Sequence, residues 1–199
     1  MKKIAISLLA LLAFNSYAAD TVEVEFKGTL INPTCTASFV GNNGSNIEFP
    51  SVQASTFASK VNGEMVSSSA IPASIQFSNC SSTLNNIKMT FLGSNTSWKG
   101  YAYRSTYLGL AGRASGSSSR LAVALFRTAS ATAETDAIVL DTTGGDSNVI
   151  NVNKSALTGS GSVLSFPLYA RLVLGNNERY ISDSVGQLSG GGTITFAYE

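Results

Sequence analysis

The sequence predicts an all-β protein folded as an antiparallel β-sandwich, and three observations carry that prediction. Short runs alternate apolar and polar residues with a period of two. The stretches between them, such as "GNNGSN", "LGSNTS", "GRASGSSS", "TTGGDSN" and "LTGSGS", are built from turn residues. No segment sustains an apolar period of 3.6 long enough for a core helix. Apolar residues make up 44 % of the chain and charged residues 13 %, which suits a packed core, and 199 residues fit one domain or at most two small ones. Strands of this kind close a sandwich when their apolar faces meet.

The first segment stands apart from that pattern. "MKKIAISLLALLAFNSYA" places two lysines before an apolar run and then the small residues Ser16 and Ala18, the layout of a secretory signal peptide over residues 1–18. Cleavage after Ala18 suits the small-residue rule better than cleavage after Ala19, which would put bulky Tyr17 three positions back. The alternative is an uncleaved N-terminal anchor, although the apolar run is short for a spanning helix. Losing Lys2 and Lys3 takes the basic residues from 13 to about 11 against 12 acids, a mature charge of about −1. A chain this close to neutral carries no electrostatic footprint for nucleic acid or anionic lipid, so its partners are recognised by shape and hydrogen bonds.

The strands follow in order. "TVEVEFKGTL" alternates Val22, Val24 and Phe26, then Gly28 and Leu30. "ASIQFSNC" sets Ile75 and Phe77 on one face; "NIKMTFLG" does the same with Ile87, Met89 and Phe91; "RLAVALF" with Leu121, Val123 and Leu125. "AIVL" and "SFPLYARLVLG" read as further strands, and "GGGTITFAYE" closes the chain with Ile194, Phe196 and Tyr198 alternating. "SATAETDA" has room for one helical turn. No internal repeat or dividing linker interrupts the series.

Two cysteines, Cys35 and Cys80, lie in the exported part. An even count in an oxidising compartment is read as one disulfide, worth roughly 4 kcal/mol for a loop of this length; two buried thiols are the alternative. Two cysteines without a histidine cannot complete a usual zinc site, so no metal or other cofactor is expected.

The residues for catalysis are scarce. There is no histidine, which removes the commonest general base and the usual partner of a Ser or Cys nucleophile. Glu134 with Asp136, and Asp141 with Asp146, are carboxylate pairs of the kind a glycosidase uses, but they sit among turn residues and read as solvated loop groups. The expectation is a non-enzymatic protein. "WKGYAYRSTY" gathers Trp98, Tyr101, Tyr103 and Tyr107, a set that could stack on a sugar or pack across strands like most aromatics of β-proteins.

The two ends raise matching questions. The mature N-terminus is an isolated alternating strand, with Thr21, Glu23, Glu25 and Lys27 on its polar face, and the final strand ends with no return strand. Either they pair within one molecule or they pair between molecules.

With these residues the chain resembles subunits of chaperone–usher pili, the fimbrial proteins of Gram-negative bacteria. "VEFKGTLINPTC" is similar to that family's N-terminal extension running into its first cysteine. "ASIQFSNC" with "IKMTFLG" is similar to its second-cysteine region and the next strand, and "FPLYARLV" to a late strand carrying an Ala–Arg pair, here Ala170 and Arg171. The family's penultimate aromatic and its glycine fourteenth from the end fall on Tyr198 and Gly186. The mature chain is somewhat long for a simple rod subunit, with the excess around 40–70 and 128–160.

The resemblance implies an incomplete immunoglobulin-like antiparallel sandwich that lacks its last strand and is completed by donor-strand addition. It implies a signal peptide at 1–18, a donor extension at 19–31 and a single pilin domain at 32–199. Val22, Val24, Phe26, Gly28 and Leu30 would then be the donor strand, and Gly186, Ile194, Phe196 and Tyr198 would mark the acceptor groove. The implied partners are neighbouring pilus subunits, a periplasmic chaperone and an outer-membrane usher, with passage through the periplasm to a fimbrium at the cell surface. Burying Val22, Val24, Phe26 and Leu30 would contribute about 6–12 kcal/mol together before ordering costs. Gly28 within that face points to a groove position closed to side chains, or to a bend. An adhesive subunit that itself binds a sugar or host receptor, through Trp98, Tyr101 and Tyr103, is the alternative function; a self-contained secreted sandwich is a third.

Overall fold

The computed structural model describes residues 34–53, 56, 60, 63–65, 70–93, 107–111, 118–140, 147–159, 161–174 and 190–199. The chain divides into units Met1–Ile31 and Asn32–Glu199, and every described residue belongs to the second. Its strands are β1 (Thr36–Val40), β2 (Ile71–Ser78), β3 (Asn86–Gly93), β4 (Tyr107–Ala111), β5 (Ser118–Phe126), β6 (Val149–Asn153), β7 (Val163–Leu174) and β8 (Gly192–Tyr198). Pairing is antiparallel throughout, in a five-stranded sheet of order β1-β2-β7-β5-β4 and a three-stranded sheet of order β6-β3-β8.

Alternation sets the core. On β2, Ile75 and Phe77 turn inward; on β3, Ile87, Met89 and Phe91; on β7, Phe166 and Leu168. These side chains meet between the sheets and are at most 1 % exposed, as expected for close-packed sandwich interiors. The segment after β1 extends the same face, where Ile47, Phe49 and Val52 pack against Leu121, Val123, Ala170, Leu172 and Leu174.

β7 departs from clean alternation. Leu168 and Ala170 to Leu174 are all buried, because both faces of this strand are covered. The outer cover comes from the connection after β5, where Ala131 and Ala137 pack with Ala122, Ala124, Phe126 and Val173. Strands buried on both faces read as continuous apolar runs rather than alternating ones. Arg171 lies under the same cover, 7 % exposed, and its Nη2 donates to the Ala129 carbonyl at 2.6 Å. A buried cation persists only with such partners.

"AIVL" (137–140) is not a strand, contrary to the sequence reading. Ala137 makes an isolated bridge to Phe126, and the Ile138 N–H donates to Leu125 O at 2.7 Å. The chain then leaves the five-stranded sheet, burying Ile138 and Leu140 in the main core, and Gly93 N–H donates to Leu140 O. The run is apolar because it crosses from an outer cluster to an inner one, not because it lies in a sheet. The helical turn allowed in "SATAETDA" is a 3-10 turn at Glu134–Asp136. Beyond the crossing, buried Asn148 donates through Nδ2 to Phe91 O at 2.6 Å and accepts from Phe91 N–H, extending the β6–β3 ladder.

Candidate functional site

The site is built around β8, one edge of the three-stranded sheet. Its other side pairs with β3 in the register Ile87–Tyr198, Met89–Phe196, Phe91–Ile194. Asn86 and Glu199 exchange backbone hydrogen bonds at 2.8 and 2.9 Å. Antiparallel bonding alternates, so Ala197, Thr195 and Thr193 direct their main-chain groups at Lys88, Thr90 and Leu92. The N–H and C=O groups of Ile194, Phe196 and Tyr198 point the other way, and no described strand meets them.

The side chains of those three residues face the core, as the period of two requires. They pack against the main cluster but are only partly buried, as are Ala37 and Phe39 of β1. Phe196 meets Phe77 edge-on, with centroids 5.6 Å apart, and stacks on Tyr198 at 6.5 Å with 14° between the rings. The result is an edge whose outward hydrogen-bonding groups meet no described strand, beside a half-covered apolar floor, the two features a docking strand fills.

The disulfide anchors one end. Cys35 and Cys80 are bonded, their Cα atoms 4.1 Å apart, tying the approach to β1 to the exit from β2. Asn79 adopts a left-handed φ of 52°, tolerated by asparagine, where the chain turns into Cys80. From β8 the Tyr198 hydroxyl donates to the Cys35 carbonyl at 3.1 Å. Burial of the phenol holds its pKa above the ordinary tyrosine range.

The other residues singled out in the sequence fall as follows. Val22, Val24, Phe26, Gly28 and Leu30, the glycine Gly186, and the aromatics Trp98, Tyr101 and Tyr103 lie outside the described residues, as do Asp141 and Asp146. Tyr107 opens β4 opposite Ala124. Asp136 is exposed on the 3-10 turn, at the rim of an open depression of about 440 Å³ that Arg127, Ser130 and Thr132 also line. Among the described residues no cluster of His, Cys, Asp or Glu could hold a metal ion, and no helix is long and apolar enough to cross a membrane. Ala37 and Phe39 are the site residues that sequence reasoning missed. Their place just after Cys35 was the available signal, but a five-residue strand with exposed Thr36 and Ser38 alternates too briefly to stand out.

No family model and no curated protein matches the chain. Solved structures do. The P pilus rod subunit PapA is 19 % identical with a TM-score of 0.51, over 89 % of this chain and 100 % of that one. A chaperone–usher pilus structure addressing rod uncoiling is 15 % identical with a TM-score of 0.50, over 91 % of this chain and 97 % of that one. The CupB6 tip adhesin from Pseudomonas aeruginosa gives a TM-score of 0.41 at 17 % identity, over 71 % of this chain and 33 % of that one. The two pilus rod likenesses show the fold to be that of the chaperone–usher pilus subunits, an all-β immunoglobulin-like sandwich, as the sequence led one to expect.

Proposed function

We propose that the protein is a structural subunit of a chaperone–usher fimbria that polymerises by donor-strand exchange. In this reading residues 19–31 of one copy lie along β8 of the next, with Val22, Val24, Phe26 and Leu30 directed onto the floor formed by Ile194, Phe196 and Tyr198. Before assembly a periplasmic chaperone covers the same edge, and an outer-membrane usher directs the exchange as the subunit travels through the periplasm to the cell surface. Catalysis plays no part. The observation that supports the reading is the half-buried inward face of β8 at an edge without a described partner. Left uncovered, such an edge invites unspecific strand pairing, which is the physical reason for a chaperone.

The chemistry of the exchange is non-covalent. Main-chain ladder bonds replace those to water or to the chaperone, and apolar side chains leave solvent. Deleting residues 19–27 tests the reading: the variant should fold and occupy the chaperone, yet fail to cap a neighbour's edge. Normal incorporation into fibres, scored by immunogold electron microscopy, would overturn it.

A further inference from the structure

We infer that Tyr198 is a positioning residue, a strut that sets the separation of the two sheet edges while the groove is empty. The inference rests on the pilin reading above and adds a regulator of the same site. Tyr198 belongs to the three-stranded sheet and Cys35 leads into β1, an edge of the five-stranded one. The 3.1 Å bond from the Tyr198 hydroxyl to the Cys35 carbonyl therefore spans two edges that no described strand joins.

Both ends of the strut are fixed. The acceptor is held by the disulfide to Cys80 and by the adjacent bond from Ser81 N–H to Thr34 O at 3.0 Å. The donor ring is held by its stack on Phe196, which is itself wedged edge-on against Phe77. A phenol is suited to the task because its ring is rigid and apolar while its hydroxyl reaches a polar partner at the far end. Without the bond, half-covered apolar walls are free to close on each other or splay, and an incoming strand must first restore the gap. Preorganisation of this kind speeds docking without adding a contact to the docked strand.

The test uses the full mature chain, refolded at high dilution, and a fluorescein-labelled synthetic peptide of residues 19–31. Tyr198→Phe keeps the stacked ring and removes the hydroxyl. The association rate should fall about two- to tenfold, the range that follows from losing one hydrogen bond, with the peptide's dissociation rate unchanged. An unchanged association rate overturns the strut and leaves the groove standing. A faster dissociation that accounts for the whole loss of affinity also overturns it, since that marks a role in general stability. Failure of the wild-type chain to take up the peptide overturns the groove reading, and the strut with it. Near-UV circular dichroism and an intact Cys35–Cys80 bond establish that the variant is folded.

Discussion

β3 and β8 are neighbours in one sheet, paired residue for residue, and both alternate apolar and polar positions. Ile87 and Met89 are 0 % exposed and Phe91 1 %, whereas Ile194, Phe196 and Tyr198, their partners across the ladder, are only partly buried. Sequence pattern does not separate the two strands. What separates them is position: β3 has β6 on one side and β8 on the other, and β8 has a described partner on one side alone. An inward-facing residue is buried by the strands flanking it as much as by the opposite sheet, so an edge that lacks a flank leaves its own core residues half wet.

Truncations should expose this contrast most strongly. Phe91→Ala empties a closed site and is expected to cost roughly 3–5 kcal/mol in urea denaturation of the protein. Phe196→Ala removes a ring already in contact with water, so it should cost distinctly less in the isolated protein and, on the proposed reading, approach the Phe91 value once a strand is docked. Equal costs in the isolated protein would erase the difference between the strands.

A second substitution probes what β3 and β8 share. A Cβ on Gly192 would lie 2.8 Å from Leu92 O and 3.5 Å from Gly93 Cα, both main-chain atoms that yield poorly. Gly192→Ala should shift the start of β8 away from β3, at a cost of about 1–3 kcal/mol typical of overpacking. Hydrogen exchange should report the loss at Thr193 and Thr195 before it appears in β6. Unaltered protection there would show that the edge strand tolerates displacement.

The smallest effect expected is on alkaline stability. Burial favours the neutral Tyr198 phenol in the folded state, so its folded pKa lies above the unfolded one. The corresponding stability is intact below the ordinary tyrosine value of about 10 and drains as pH rises through it toward the folded value. Urea midpoints measured between about pH 8 and 11 should fall more for the wild type than for Tyr198→Phe, which has no proton to lose at that position. Parallel decline in both proteins would place the phenol in a water-like setting.

How much of this was legible in the sequence depends on who covers a strand. β2, β3 and β8 each have one face toward the core, and their alternation shows it directly, whereas β5 is buried on both faces, with Leu121 and Val123 on one side and Ala122, Ala124 and Phe126 on the other. β7 was recognised as a strand, but the reason for its unbroken "LYARLVL" run, a second cover over its outer face, lies in residues some forty positions earlier and has no local signal. "AIVL" was misread for the complementary reason: consecutive apolar residues also mark a connection that passes from one cluster to another. β4 and β6 escaped notice because one carries a glycine at its centre and the other alternates with asparagine among turn residues. At the site, Ile194, Phe196 and Tyr198 were visible as a set. Their half-exposure was not, since periodicity reports which face a residue takes and says nothing of what lies beyond the edge. The bond from Tyr198 to Cys35 links residues 163 positions apart and has no sequence signature at all.

The division of β8 into residues that bond β3 and residues whose main-chain groups point outward has a consequence for fidelity. Should the segment at 19–31 dock one residue out of step, nearly every rung could still form, because main-chain groups are indifferent to side-chain identity. The penalty would arise elsewhere: Glu23, Glu25 and Lys27 would be turned toward aromatic rings and stripped of water. On the proposed reading, proofreading of a joint between copies would thus be a matter of ion hydration, enforced at each polar residue of the incoming segment rather than by any lock in the ladder.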